Sequence, residues 1–589
     1  MTALSFSERL AAVREQLSRR NVDGLVVLRG DEFLGEYVAP YAERLAWLTG
    51  FTGSAGMALV LPDRAAVFSD GRYTVQLDEQ VDGALWERLH ITQIPPKQWL
   101  THHAQGLRIG YDPRLISEAG LTALEGRGFE FVALENNPLD AAWPDQPARP
   151  RTPVIFQSPD LSGETSDSKR ARLATELRAN GENAALVTDP TSVAWLLNIR
   201  ASDVPYTPVV LAFAILHDND RAELFVERDR LTAETLASFG DEVTIRAVTE
   251  LDARLNALSG KTVRVDAQGT ALWFIQTLEK ADATISRGGD LCVLPKACKN
   301  ATEQQGARDV HRIDSTALCR FLHFVTTQGV GLRETELAER MDGFRAQSPD
   351  YRGESFAAIS AAGPNAALPH YRALPGRDRV LTADSIYLID SGGQYGAGTT
   401  DVTRTLWTGP DVAPSAIREA YTRVLKGNIA LNQARFPVGT TGHRLDALAR
   451  QFLWQAGMDY DHGTGHGIGS YLSVHEGPQN ISAIARPVAL QSGMIVSDEP
   501  GYYAVGHYGI RLENLLLVKP ASVGTPGRYL EFEVLGFAPF DRNLIDVSLL
   551  DDDERSWLDR YHATTLAKIG PLVDLPTRTW LAEVCAPLA

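Results

Sequence analysis

Only four of the 589 residues are cysteine, at 292, 298, 319 and 585, and they have no framework spacing. That argues against a disulfide scaffold and for free thiols in a reducing compartment. No apolar run approaches the ~18–20 residues needed to cross a bilayer, which excludes a membrane-spanning helix. The N-terminus lacks the form of a secretion signal: Phe6, Leu10, Val13 and Leu17 recur at helical spacing among charges, predicting an amphipathic surface helix. Basic runs are also missing, and the net charge is −17, so a nucleic-acid-binding surface is not expected. Nothing is low-complexity.

What is present reads as an ordinary globular chain, 44% hydrophobic and 22% charged, long enough for two to four domains. Two stretches of the first half share an order of elements at an offset of roughly 150 residues. Each has a helix, an apolar run (25–28, then 184–187) and an Ala-Trp-Leu word (46–48, then 194–196). Each continues through a strand-like run (57–61, then 208–216) into Asp-Arg-Ala (63–65, then 220–222). Prolines at 138, 144, 147, 150, 153 and 159 separate the copies, ahead of a helix-capping run at 162–166. Boundaries are expected near 157 and 296. From 383 onward, β-type runs alternate with glycine-rich turns, and the last ~45 residues read as a helical tail around Trp557 and Trp580.

The chemistry concentrates in the C-terminal third. Asp390 ends the apolar run 386–389, and Asp401 opens the run 402–406, with Gly392, Gly393, Gly396 and Gly398 between them. This predicts a hairpin with one aspartate on each arm. Carboxylates held close repel and are costly to bury unless a cation compensates, although each alone also reads as a strand-end residue facing water. His462, His466 and His475 accompany glycines at 463, 465, 467 and 469. Such glycines permit unusual backbone angles and close approach to a ligand, which fits phosphate binding or metal chemistry. The loop holds no GxxxxGK[ST] word, so it is not a Walker-type loop. Glu499 and Glu513 border the strand-like runs 494–496 and 515–518, where an unpaired charge is hard to tolerate. Four carboxylates with one imidazole suit Mn²⁺, Co²⁺ or Fe²⁺ better than a structural thiolate zinc site. Carboxylates bridging two ions ~3.5–4 Å apart would form a hydrolytic clamp.

The words GFTGSAG (50–56), SDGRY (69–73), SDVPY (202–206), PKACKNATE (295–303), HGTGHGIGSYLSVHEGP (462–478) and DEPGYY (498–503) carry a resemblance covering nearly the whole chain. They are similar to the Xaa-Pro aminopeptidase (aminopeptidase P) family, in its long three-domain cytosolic type. That family sits in the pita-bread superfamily with prolidase and methionine aminopeptidase.

The resemblance implies an α/β (α+β) chain: two related N-terminal creatinase-like α/β domains, 1–157 and 158–296, before a pita-bread catalytic domain with its helical tail, 297–589. The catalytic fold would be a curved antiparallel sheet flanked by helices. It further implies release of the first residue from short peptides with proline second, by a hydroxide bridging two divalent ions, Mn²⁺ first, with Co²⁺, Zn²⁺ and Fe²⁺ as alternatives. Asp390 would hold one ion, Asp401 and Glu513 would bridge both, and His466 and Glu499 would complete the coordination of the second ion. Glu499 would also accept the water's proton. His370 and His475 would bind substrate and stabilise the tetrahedral intermediate, and His462 would line the proline pocket. Arg511 would orient carboxylates, and Arg72 is a candidate to contact substrate from the first domain. A cytoplasmic homodimer without nucleic-acid or membrane partners is expected. The competing readings are a prolidase restricted to dipeptides, a non-enzymatic binding protein on the same fold, and a metal-free creatinase-like hydrolase.

Overall fold

In the computed structural model, which describes residues 4–522, 525 and 527–588, the first helix forms where the apolar spacing predicts. Phe6–Arg19 starts at Ser5, whose hydroxyl accepts from Glu8 N while the Glu8 carboxylate accepts from Ser5 N. It buries Leu10, Val13 and Leu17. The chain divides into two units, residues 1–157 with 164–292, and residues 158–163 with 293–589.

The first unit contains two six-stranded sheets with one plan. The order Glu87–His90, Ala65–Ser69, Met57–Val60, Gly24–Leu28, Arg108–Tyr111, Glu130–Ala133 is matched by Val243–Arg246, Ala222–Phe225, Phe213–His217, Ala184–Val187, Thr262–Val265, Thr284–Arg287. In each sheet the third and fourth strands are antiparallel, as are the second and third, and the remaining neighbours are parallel. Both Ala-Trp-Leu words lie in short helices, Arg44–Thr49 and Pro190–Leu196, with Trp47 and Trp195 buried. The strand expected over 208–216 begins only at Phe213. Upstream, Val209 N turns back to Thr207 O, and Leu211 N donates to the carboxylate of Asp203 at 2.9 Å, so these amides are taken out of any ladder.

In the second unit the long helix Ala301–Gln328 is capped by Asn300 and Glu303 and buries Val310, Leu318 and Phe321. An all-antiparallel six-stranded sheet runs Arg435–Pro437, Tyr529–Val534, Asn514–Pro520, Ile495–Asp498, Gly465–Gly467, Glu476–Ile481. A second antiparallel sheet orders Ile359–Ala362, Ile386–Ser391, Val402–Trp407. Helices Ser415–Asn432 and His443–Trp454 meet closely at Gly427, where a Cβ would lie 2.1 Å from Ala449 O. The tail tryptophans pack on their own unit, Trp557 stacked on Tyr561 at 5.3 Å and Trp580 on His323 at 5.6 Å. All four cysteines are free, and among the described residues no helix is long and apolar enough to cross a membrane.

Candidate metal centre

The two aspartates reach the site from paired strands. Ile386–Ser391 and Val402–Trp407 run antiparallel with Asp390 opposite Thr403, and Asp401 immediately precedes the second strand. Asp390 thus lies inside its strand rather than at its end. The connection is itself structured, with Gly393–Tyr395 pairing with Gly398–Thr399. The other sheet supplies the remaining groups. His466 is the middle residue of Gly465–Gly467, Glu499 follows Ile495–Asp498, and Glu513 precedes Asn514–Pro520. Main-chain bonds join the pieces: Glu499 N donates to Thr464 O at 2.8 Å and Glu513 N to Thr403 O at 3.1 Å.

The glycines around His466 act differently from the sequence expectation. None of Gly463, Gly465, Gly467 and Gly469 has a positive φ. Instead, a Cβ at Gly465 would sit 1.9 Å from Ser497 O, and one at Gly467 would sit 2.2 Å from Glu476 O. They are needed because strands approach closely on either side of the imidazole.

One donor atom from each of Asp401, His466 and Glu513 lies within 4.8 Å of the others. His466 Nδ1 donates to Gly467 O at 3.0 Å. In the neutral ring Nε2 then carries the lone pair, and it lies 3.5 Å from Asp401 Oδ2 and 3.4 Å from Glu499 Oε1. The buried Asp390 accepts Arg511 Nη2 at 2.6 Å on Oδ2, and the buried Glu513 accepts the Thr403 hydroxyl at 2.8 Å on Oε2. Their other oxygens, Asp390 Oδ1 and Glu513 Oε1, are buried without a hydrogen-bond partner among the described residues. Burial, reinforced by repulsion from Glu513, Asp390 and Glu499, pushes the Asp401 carboxyl well above the usual carboxylate range. Burial, with repulsion from Glu499 and Asp390, does the same to Glu513, and burial takes Glu499 up to about 7 against the pull of Arg511. Four crowded carboxylates, one opposing guanidinium, an oriented imidazole lone pair and two orphaned oxygens are the donor set for hard divalent cations. The residues present fit such ions.

Around this cluster, the His475 ring meets that of His466 edge to face at 4.5 Å. His462 Nδ1 donates to Gly463 O at 2.8 Å, so its Nε2 accepts from the Tyr503 hydroxyl at 2.8 Å, and Tyr503 in turn accepts Arg511 Nη1 at 2.8 Å. Tyr503 is thus committed to a polar chain. His370 is half-buried in the turn after Gly363–Ala367, a segment so close to the strand bearing Arg511 that a Cβ on Gly509 would lie 1.7 Å from Ala366 O. Arg72 belongs to the first unit, where it makes a two-point pair with Asp70 at 2.9 and 2.7 Å. Reading the sequence missed Thr403 and Ser497, the latter donating to Glu499 Oε1 at 3.1 Å and accepting from His466 N at 2.9 Å. The period of two along a strand was the available signal: each stands two residues from an acidic group, Asp401 or Glu499.

The description "Metallopeptidase family M24" matches residues 305–520, and "C-terminal region of peptidase_M24" matches 528–588. "Creatinase/Prolidase N-terminal domain" matches twice, at 9–138 and 145–303. A "Probable Xaa-Pro aminopeptidase P" of Laccaria bicolor is 38% identical over 99% of this chain and 94% of that protein. The human "Xaa-Pro aminopeptidase 2" is 37% identical over 100% of this chain and 90% of its own length. Among solved structures, an X-prolyl aminopeptidase from Caenorhabditis elegans, described as a cytosolic enzyme with a di-nuclear active site, superposes with a TM-score of 0.94. It has 33% identity and covers 99% of this chain and 100% of that one.

Proposed function

The chain belongs to the M24 metallopeptidases, with two creatinase-like N-terminal domains, and to the Xaa-Pro aminopeptidases among them, and from that membership we propose that it removes the N-terminal residue from peptides whose second residue is proline. The observation that carries this reading is the crowding of the Asp390, Asp401, Glu499 and Glu513 carboxylates, with His466 against Asp401, Glu499 and Glu513 and the Arg511 guanidinium on Asp390. Buried carboxylates crowded in this way are costly without compensating cations, and two divalent ions would offset that cost.

When bound, such ions lower the pKa of water towards neutrality and polarise a carbonyl. Asp390, Asp401, His466, Glu499 and Glu513 would hold them, with Asp401 and Glu513 shared. Thr403, Ser497 and Arg511 keep the carboxylates oriented through the bonds described above. Glu499 takes the proton from the attacking water. His475, against His466, and His370 would donate to the carbonyl oxygen as it gains charge. His462, held by Tyr503, would line the pocket for the proline ring. A bond preceding proline is a tertiary amide without N–H, so it needs a dedicated site. We assign three domains, 1–157, 158–296 and 297–589, Mn²⁺ as the working metal, a homodimer and a cytoplasmic location.

The test is metal-dependent release of the first residue from a Xaa-Pro-Pro tripeptide, with the Xaa-Pro dipeptide alongside. Cleavage of the tripeptide after Mn²⁺ loading, abolished by chelation, is expected. Cleavage of the dipeptide alone would overturn the specificity in favour of a prolidase. Less than one ion per chain with no peptidase activity would overturn the enzyme.

A further inference from the structure

The backbone leading into Glu499 and Glu513 has a gap in its hydrogen-bond ladder. Leu512 N donates to Pro500 O at 3.2 Å, half of the exchange that opposed residues make in an antiparallel pair. The return bond cannot form, because Pro500 has no N–H. Leu512 O is met instead by a side chain from the helix Ser415–Asn432. Asn428 Nδ2 lies 3.3 Å from Leu512 O and 3.0 Å from Asp498 O. One fully buried amide therefore spends both hydrogens on the carbonyls of the two residues immediately before Glu513 and Glu499.

The amide is itself held. One turn on, Asn432 Nδ2 donates to Asn428 Oδ1 at 3.2 Å and to the buried Asp498 Oδ2 at 2.5 Å. Asn432 Nδ2 also donates to Asn428 O at 2.7 Å, and the two carbonyl acceptors facing Asn428 Nδ2 fix which side of that amide carries the nitrogen. The neighbouring Gly427 seats the helix against the main chain at Ala449, so Asn428 projects from a fixed base.

We propose that Asn428 is a positioning residue for the metal pair. It ties together the peptide groups that lead into Glu499 and Glu513, and so sets the separation at which those carboxylates hold two ions. It touches neither substrate nor ion and acts through the two ligand backbones. The inference rests on the ligand assignment made above.

The test compares Asn428→Asp, which keeps the shape and loses both donors, and Asn428→Ser, which keeps one, with Thr422→Val in the full-length chain. Thr422 lies on the same helix, and its hydroxyl accepts from Asp546 N at 2.8 Å, away from the ligand strands. Four readouts are taken: Tm after chelation, stepwise Mn²⁺ affinity by calorimetry, the Mn–Mn exchange signal by electron paramagnetic resonance, and kcat with KM. Both Asn428 variants should lose about 10–100-fold in affinity for the more weakly held ion and show an altered exchange signal, with kcat falling at nearly constant KM. Thr422→Val should lower Tm alone. The Ser variant supplies the same readouts when the Asp variant does not fold. Wild-type affinities and signal in the Asn428 variants overturn the proposal, as does an equal loss of affinity in Thr422→Val. A wild-type chain that binds no ion overturns the ligand assignment itself and the proposal with it.

Discussion

Asp401 has the most demanding position of any single side chain in the cluster. It is buried, faces the His466 nitrogen at 3.5 Å and feels three other carboxylates. As the proposed shared carboxylate it would serve both ions, so Asp401→Ala should abolish peptide cleavage and also reduce bound metal, read by elemental analysis. Full metal content in that variant would contradict a bridging role. His370 makes the opposite case. If, as proposed, its imidazole acts only on developing charge, removing it should leave both ions in place and lower kcat by about 10²–10³-fold. A change confined to KM would make it a simple substrate contact. At this scale the acidic residues and His466 were legible because carboxylates bordering apolar strands are chemically conspicuous. The hydroxyls of Thr403 and Ser497 and the Tyr503 link were less so, since such residues are common in strands and their partners Glu513, His466 and His462 lie 110, 31 and 41 positions away.

Among the elements, Ser415–Asn432 does most for the site without supplying a proposed ligand. Its contact with His443–Trp454 depends on Gly427, where any Cβ meets Ala449 O at 2.1 Å. Gly427→Ala should therefore destabilise the protein by about 1–3 kcal/mol in denaturant unfolding, although alanine is the better helix former. A variant as stable as the parent would show that the helices can separate freely. The glycines at 465 and 467 teach the same lesson within the sheet, where close packing and not backbone angle excludes a side chain. The hairpin of Asp390 and Asp401 was readable from alternating apolar runs and glycines. The strand expected from 208 was not, because a buried Asp203 captures the Leu211 amide.

For the molecule as a whole, burial gives a pH dependence of unusual sign. Asp401 and Glu513 are raised well above their ordinary values, Glu499 is raised to about 7, and burial raises Asp541 and Asp31 to about 6. A carboxyl with a folded pKa above its unfolded one binds its proton more tightly in the native state. Its contribution to stability is complete below the unfolded pKa, near 4, and is lost as pH rises through the folded value. The chelated protein should thus show a falling Tm between about pH 5 and 8. Ions held among Asp401, Glu499 and Glu513, as proposed, would replace those protons, so Mn²⁺ should flatten or reverse the slope. Parallel Tm curves with and without Mn²⁺ would contradict a shared ion at these carboxylates.

The sequence by itself determined the kinds of element, the family and the inventory of chemical groups. Hydrophobic period, proline and glycine placement and charge are local properties, and local properties decide whether a segment can be a helix, a strand or a turn. Only the tertiary structure decided which groups meet. Asp390 and Asp401 come from one sheet, His466, Glu499 and Glu513 from another, and a single amide on a separate helix spans the backbones of two of them. Convergence of that sort depends on strand register and helix seating, which are set by packing across long sequence separations and leave no periodic trace along the chain.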